Sequence, residues 1–230
     1  MKIFSYSVKV YVLKDIHYTA LMQKLCDLID SCFDDNPDRL NWHSANQFKN
    51  YSFSGLTPLE KNKNYCEGKI YSFSLRTTDE KLGLFFNNRL ENAYSSNLKV
   101  LTIESKVLPH VQLSKIYSIT PVVLKTEGGY WRTALTFEDF ERRLKENLIK
   151  KYNAMSHTKM NENFQLFNHI KFDNQKPIST AYKDINLLGD KLTLMLENNP
   201  SAQELAYVAI GSGIGEMGSR GFGFCNYKFI

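Results

Sequence analysis

No hydrophobic run in this sequence approaches the roughly 18 residues that a membrane-spanning helix needs, and no apolar stretch of signal length follows Met1-Lys2. The cytoplasm is the expected compartment, and a membrane is not an expected partner. Cysteine is sparse. Cys26, Cys32, Cys66 and Cys225 make no C-x-x-C pair and do not alternate with histidines at zinc spacing, so they read as reduced, mostly buried thiols. Carboxylates do not cluster as a metal-dependent centre requires, so neither a metal nor a cofactor is expected. No low-complexity linker divides the chain. A strong charge excess is also missing: 29 Lys and Arg against 24 Asp and Glu leave +5, which mildly favours an anionic partner without identifying it. The apolar content, 43% of 230 residues, suffices for a buried core, as one large domain or two small ones.

The hydrophobic periodicity repeats along the chain. Lys2 to Leu13 reads as a strand, and Tyr18 to Phe33 as a helix with Leu21, Met22, Leu25, Leu28, Ile29 and Cys32 at helical spacing, stopped by Asp34, Asp35, Asn36 and Pro37. Strands fit Tyr51 to Leu56 and Lys69 to Leu75. Thr77-x-x-Glu80 has the form of a capping box ahead of a helix carrying Leu82, Phe85, Phe86, Leu90 and Tyr94, and Leu98 to Leu108 follows as a strand. The second half begins with a strand over Ile116 to Lys125. Thr136-x-x-Asp139 then starts a helix with Phe137, Phe140, Leu144, Leu148, Ile149 and Tyr152 on one face. Strands near Phe164 to Phe172 and Lys191 to Leu196 come next, then a short helix from Ser201-x-x-Glu204, behind Pro200, to Ala209, and a closing strand from Phe222 to Phe229. Asn174 to Asp190 fits a hairpin or a mobile loop. Read twice, the order β-α-β-β-α-β predicts an α+β protein of two tandem ferredoxin-like modules, residues 1–112 and 113–230, joined near Pro109 to Ser114.

Glycine is concentrated at one place. Gly211, Gly213, Gly215, Gly218, Gly221 and Gly223 are six of the chain's twelve, more than a tight turn needs. Such density suggests a loop whose N–H groups surround an anion, with the Arg220 fork beside it. Gly213-x-Gly215-x-x-Gly218 matches the dinucleotide fingerprint only in its letters, because that fingerprint must open a helix inside a βαβ unit with an acidic residue about 20 positions on. The sequence ends at Ile230. No Gly-Lys-Ser/Thr follows either, which removes the phosphate loop of nucleotide hydrolases.

Read as Gly213-Ile214-Gly215, five residues, then Gly221-Phe222-Gly223, the segment resembles the C-terminal glycine-rich signature of the CRISPR-associated repeat-RNA endoribonucleases of the RAMP type. A second segment, Leu40-Asn41-Trp42-His43-Ser44-Ala45-Asn46-Gln47-Phe48-Lys49-Asn50-Tyr51-Ser52-Phe53-Ser54-Gly55-Leu56, is similar to that family's N-terminal region, where a histidine precedes a short loop, a basic residue and a strand. The resemblance implies two ferredoxin-like modules and a nuclease that cuts CRISPR repeats in precursor transcripts, with His43 and Lys49 as the catalytic pair. It implies RNA contacts from Gly213, Gly215, Gly218, Arg220, Gly221 and Gly223. Repeat RNA is the expected partner, alongside other CRISPR-associated proteins of an effector complex, for a monomer or homodimer.

The chemistry is plausible on residue types alone. RNA carries its own nucleophile, so cleavage needs only a group to move the 2′-OH proton and a cation to stabilise the phosphorane, giving a 2′,3′-cyclic phosphate. Histidine and lysine suit these tasks. Arg142, Arg143, Lys145, Lys150 and Lys151 line the helix after Thr136 as a solvated face or as a groove for an RNA stem. In one respect the chain departs from its apparent family, whose members pair the histidine with a tyrosine of the first helix: no tyrosine lies between Tyr18 and Tyr51. His17 and Tyr18 stand at the start of that helix, where helix initiation or packing accounts for them. A non-cleaving subunit that binds repeat RNA would keep the glycine loop and lack the acid-base chemistry.

Overall fold

The computed structural model describes residues 1–34, 37–45 and 47–230, with only the backbone at 37–39 and 44. Asp35 and Asn36 of the expected helix stop, and Asn46 of the His43 segment, lie outside the described residues.

The first half forms β1 (Phe4–Val12), β2 (Ile16–His17), α1 (Leu21–Asp30), α2 (Pro37–Ser44), β3 (Tyr51–Phe53), β4 (Asn64–Tyr65), β5 (Ile70–Thr77), α3 (Glu80–Arg89) and β6 (Leu98–Val107). β1 is central because Tyr6, Val8, Val10 and Val12 put every second side chain into the core. Its antiparallel partners β5 and β6 flank it, with β3 outside β5. α1 and α3 bury Leu25, Leu28, Ile29, Phe85 and Phe86 in the same core.

The second half repeats the plan with β7 (Leu113–Ser118), α4 (Phe137–Ser156), β8 (Phe167–Phe172), β9 (Ile178–Tyr182), β10 (Ile185–Gly189), β11 (Leu192–Leu196), α5 (Pro200–Ser212) and β12 (Cys225–Phe229). The sheet order β12-β7-β11-β8 corresponds to β6-β1-β5-β3 of the first sheet, so both have the ferredoxin-like arrangement. The fold is the α+β pair of ferredoxin-like modules that the periodicity predicts. Asn174 to Asp190, open between two readings, contains the β9–β10 hairpin.

Several boundaries differ from the sequence reading. The strand expected over Ile116–Lys125 ends at Ser118, where backbone pairing passes to isolated bridges at Val122 and Val123. Thr77 caps no helix: it is the last residue of β5, its hydroxyl donates to Asn50 O, and Asp79 is the N-cap, accepting from Leu82 N at 3.1 Å. Asn199 likewise caps α5 in place of Ser201, with Pro200 in the first turn, and that helix continues past Ala209 to Ser212. Thr136 does cap α4, accepting from Asp139 N at 3.1 Å.

α5 and the glycine-rich segment after it join the two halves. Ser52 of β3 donates to Gly211 O, and buried Arg76 of β5 donates to Cys225 O at 2.7 Å and Asn226 Oδ1 at 2.8 Å while its guanidinium lies over the Phe224 ring. Charged hydrogen bonds of this kind hold direction as well as distance. They bring the C-terminal glycines against the strand that follows His43.

Candidate active site

His43 lies in the last turn of α2 and is buried against aromatic side chains. The Phe33 ring stacks on its imidazole, 4.5 Å between centroids at 23°, and Phe33 packs in turn on Phe85. The imidazole Nε2 lies 3.0 Å from the Tyr51 hydroxyl and 3.2 Å from Asp30 Oδ1. Burial lowers the His43 pKa from its ordinary 6.5. Asp30 and Asp34 oppose this shift, while Arg220 and Lys49 reinforce it. The balance favours the neutral imidazole. Tyr51 is wholly buried, and desolvation holds its pKa well above 10, so it keeps its proton.

Lys49 reaches back over the end of α2. Its ammonium donates to Trp42 O at 2.8 Å and Ala45 O at 2.5 Å, and it lies over the Trp42 ring, 5.1 Å from the centroid. Among the described residues two of its three N–H bonds are thereby used, and the third is open to a ligand. Arg220 grips Asp30 through both carboxylate oxygens, at 3.0 and 2.7 Å. Helix α1, the loop after α2, β3 and the C-terminal glycine segment thus meet at one point.

These groups lie along a groove of about 640 Å³, lined by His43, Lys49, Tyr51 and Arg220 together with Lys125, Lys150, Lys151, Lys183 and Glu216. Arg220 is balanced by Asp30 and Lys151 is buried, but Lys49, Lys125, Lys150 and Lys183 remain against Glu216 among the described lining residues, which makes the groove positive. Such a field draws a polyanion and holds it by its phosphates.

The structure brings some of the expected residues together and separates others. His43, Lys49, Gly218 and Arg220 all line this groove. Gly213, Gly215, Gly221 and Gly223 do not: they are buried, and their segment is tied into the protein. The N–H groups of Gly213, Ile214, Glu216, Gly221, Phe222 and Gly223 donate to backbone carbonyls, so the open anion cradle read from glycine density is instead mostly a packed joint. Arg142 pairs with Asp139 and Glu146 on an exposed face, Lys145 donates to Glu162 O and Phe164 O, and Arg143 bonds Lys125 O and approaches Glu216. None of these three reaches the groove lining, whereas Asn147, Lys150 and Lys151 do. His17 is exposed on β2 beside Thr19 and Tyr18, away from His43.

Tyr51 and Asp30 were missed by reasoning from sequence. The signal for Tyr51 lay within the quoted motif, since a tyrosine buried in a strand needs a partner for its hydroxyl. Asp30 gave none.

Lys151 anchors the glycine segment. Its buried ammonium donates to Gly213 O and Gly215 O at 2.7 Å each and approaches Ser212 O, while burial lowers its pKa to about 7. Lys151→Met should orphan these carbonyls at a cost of about 1–3 kcal/mol for each one left dry. Thermal unfolding followed by circular dichroism checks this, and an unchanged midpoint would show that the segment holds itself.

Among the described residues, no helix is long and apolar enough to cross a membrane, and no three His, Cys, Asp or Glu side chains are grouped to hold a metal ion. The family described as CRISPR associated protein Cas6, C-terminal, matches residues 103–227. A solved structure titled CRISPR associated protein Cas6 superposes with a TM-score of 0.72 at 20% identity, covering 98% of this chain and 99% of its own. A RAMP protein binding different RNA substrates gives 0.74 at 17% identity, with the same coverages of 98% and 99%. A product complex of Thermus thermophilus Cas6 gives 0.66 at 17% identity, again over 98% and 99%. At these identities the likeness is one of fold. No curated protein matches the sequence significantly.

Proposed function

The chain belongs to the Cas6 family of CRISPR-associated proteins, and from that membership we propose that it binds precursor CRISPR RNA and cuts it within the repeats. The observation that carries the reading is the convergence of His43, Lys49 and Tyr51 in one lysine-rich groove, with residues from both ends of the chain contributing.

In this reading the groove cations hold phosphates on either side of the scissile bond. Neutral His43 accepts the 2′-OH proton as the 2′-oxygen attacks phosphorus and the 5′-oxygen leaves, taking a proton from solvent water, so a 2′,3′-cyclic phosphate and a 5′-OH result. The free N–H of Lys49 meets the charge that develops on the phosphorane oxygens. The Tyr51 hydroxyl, supplied by β3, occupies the histidine's inner side, where a tyrosine of the first helix is missing.

Incubating the protein with repeat RNA in excess EDTA tests the reading. Cutting at one position within each repeat is expected. Binding without cutting would identify an RNA-holding subunit, and strict dependence on added magnesium would overturn the mechanism.

A further inference from the structure

A carboxylate beside one nitrogen of a buried histidine biases which nitrogen carries the hydrogen. A carboxylate only accepts, so the charge of Asp30 Oδ1, 3.2 Å from His43 Nε2 as an ion-pair contact and not as an aligned hydrogen bond, favours a hydrogen on Nε2. The hydrogen bond at that nitrogen is with the Tyr51 oxygen at 3.0 Å, which accepts it when the hydrogen is on Nε2. Among the described residues Nδ1 has no hydrogen-bond partner, which leaves its lone pair as the ring's only vacant basic site. Asp30 is itself fixed: both its oxygens are gripped by Arg220, a residue 190 positions later in the chain.

We propose that Asp30, clamped by Arg220, is a positioning residue that holds the proton of His43 on Nε2 and turns Nδ1 toward the RNA. The inference rests on the proposed role of His43 as proton acceptor. When Nδ1 takes the 2′-OH proton, the ring becomes a cation with N–H on both nitrogens, and the carboxylate beside Nε2 stabilises that charge without itself being protonated. Arg220 then acts through Asp30, holding the carboxylate in place, and its side chain is not a dedicated phosphate ligand.

The charged and titratable groups around the ring are Asp30 from α1, Asp34 after it, Lys49, Tyr51 from β3 and Arg220 from the glycine segment. Replacing Asp30 by Asn removes one of the two carboxylates that support the imidazolium while leaving both cations. The His43 pKa should therefore fall further below 6.5, and the acidic limb of the rate profile, which tracks loss of the His43 proton, should move to lower pH.

The experiment combines single-turnover cleavage between pH 4.5 and 8 with NMR titration and tautomer assignment of the His43 ring. Asp30→Asn should cut roughly 10- to 100-fold more slowly on the pH plateau, the range for removing a group that orients a working histidine. It should also show the shifted limb and a lower population of the Nε2–H tautomer. A variant that had only lost stability would keep the limb in place. The double variant Asp30→Leu with Arg220→Met removes both charges together, which guards against an unpaired buried guanidinium. It should cut as slowly as Asp30→Asn. Wild-type rates in that double variant, or an unmoved limb and tautomer in a folded Asp30→Asn protein, would overturn the proposal while leaving His43 as the proton acceptor. Should the wild type not cut at all, the proposed function fails instead, and the tautomer of His43 in the wild type and Asp30→Asn proteins still decides whether Asp30 positions the ring.

Discussion

His43→Ala should lower the single-turnover rate of repeat-RNA cleavage by roughly 10²- to 10⁴-fold while leaving the dissociation constant nearly unchanged. A proton acceptor contributes chiefly while bonds are changing, so its loss appears in the rate. Lys49→Ala is expected to slow the reaction and also weaken binding, because an ammonium attracts the phosphate in the ground state as well. The pH dependence follows from burial of the ring: the His43 pKa lies below 6.5, so the rate should rise through a midpoint on the acid side of 6.5 and level off above it. Cleavage by folded His43→Ala at the wild-type rate would remove the histidine from the mechanism.

Gly223→Val should produce the largest loss of stability of any single change in the glycine segment. Its φ is +65°, and an added Cβ would lie 1.9 Å from Ile214 O, the carbonyl of a residue whose own N–H donates to Gly223 O at 2.8 Å. The Gly223 N–H donates to Pro121 O at 2.8 Å, so the backbone is held from both sides and can yield only by breaking these bonds. Strain and clash together should cost more than about 3 kcal/mol, a fall of about 10 °C in Tm. Gly129→Ala provides the control, because its φ is +84° but nothing lies within 4 Å of an added Cβ. That variant should lose only about 1–2 kcal/mol. Equal losses in the two would show that backbone conformation alone, and not the packed joint, sets the cost.

The parts of the fold governed by local periodicity were legible in the sequence. β1 alternates and becomes the central strand, and the side chains of Thr136 and Asp139 begin α4 as their spacing predicts. The capping patterns at Thr77 and Ser201 misled for a tertiary reason. Thr77 is taken by strand pairing and by Asn50, and Asn199 stands two residues ahead of Ser201 with a side chain equally able to cap. At the site, the two motifs did point to side chains that share one groove. The basic helix divides between the two readings open for it. Arg142 and Lys145 project away from the groove, whereas Asn147, Lys150 and Lys151, spaced three and four apart, line it. Asp30 was invisible because its importance comes from Arg220, far along the chain, and no local pattern encodes that meeting.

The central claim is that the RNA's own 2′-OH is the nucleophile, activated in the groove where His43, Lys49 and Tyr51 meet. The most direct measurement gives the wild-type protein a repeat RNA with a single 2′-deoxynucleotide immediately upstream of the cut and compares it with the unmodified RNA in EDTA. Equal affinity for both, no cleavage of the deoxy substrate, and a 2′,3′-cyclic phosphate with a 5′-OH from the unmodified one are expected. Cleavage of the deoxy substrate at the same bond, or a 5′-phosphate on the downstream product, would contradict it.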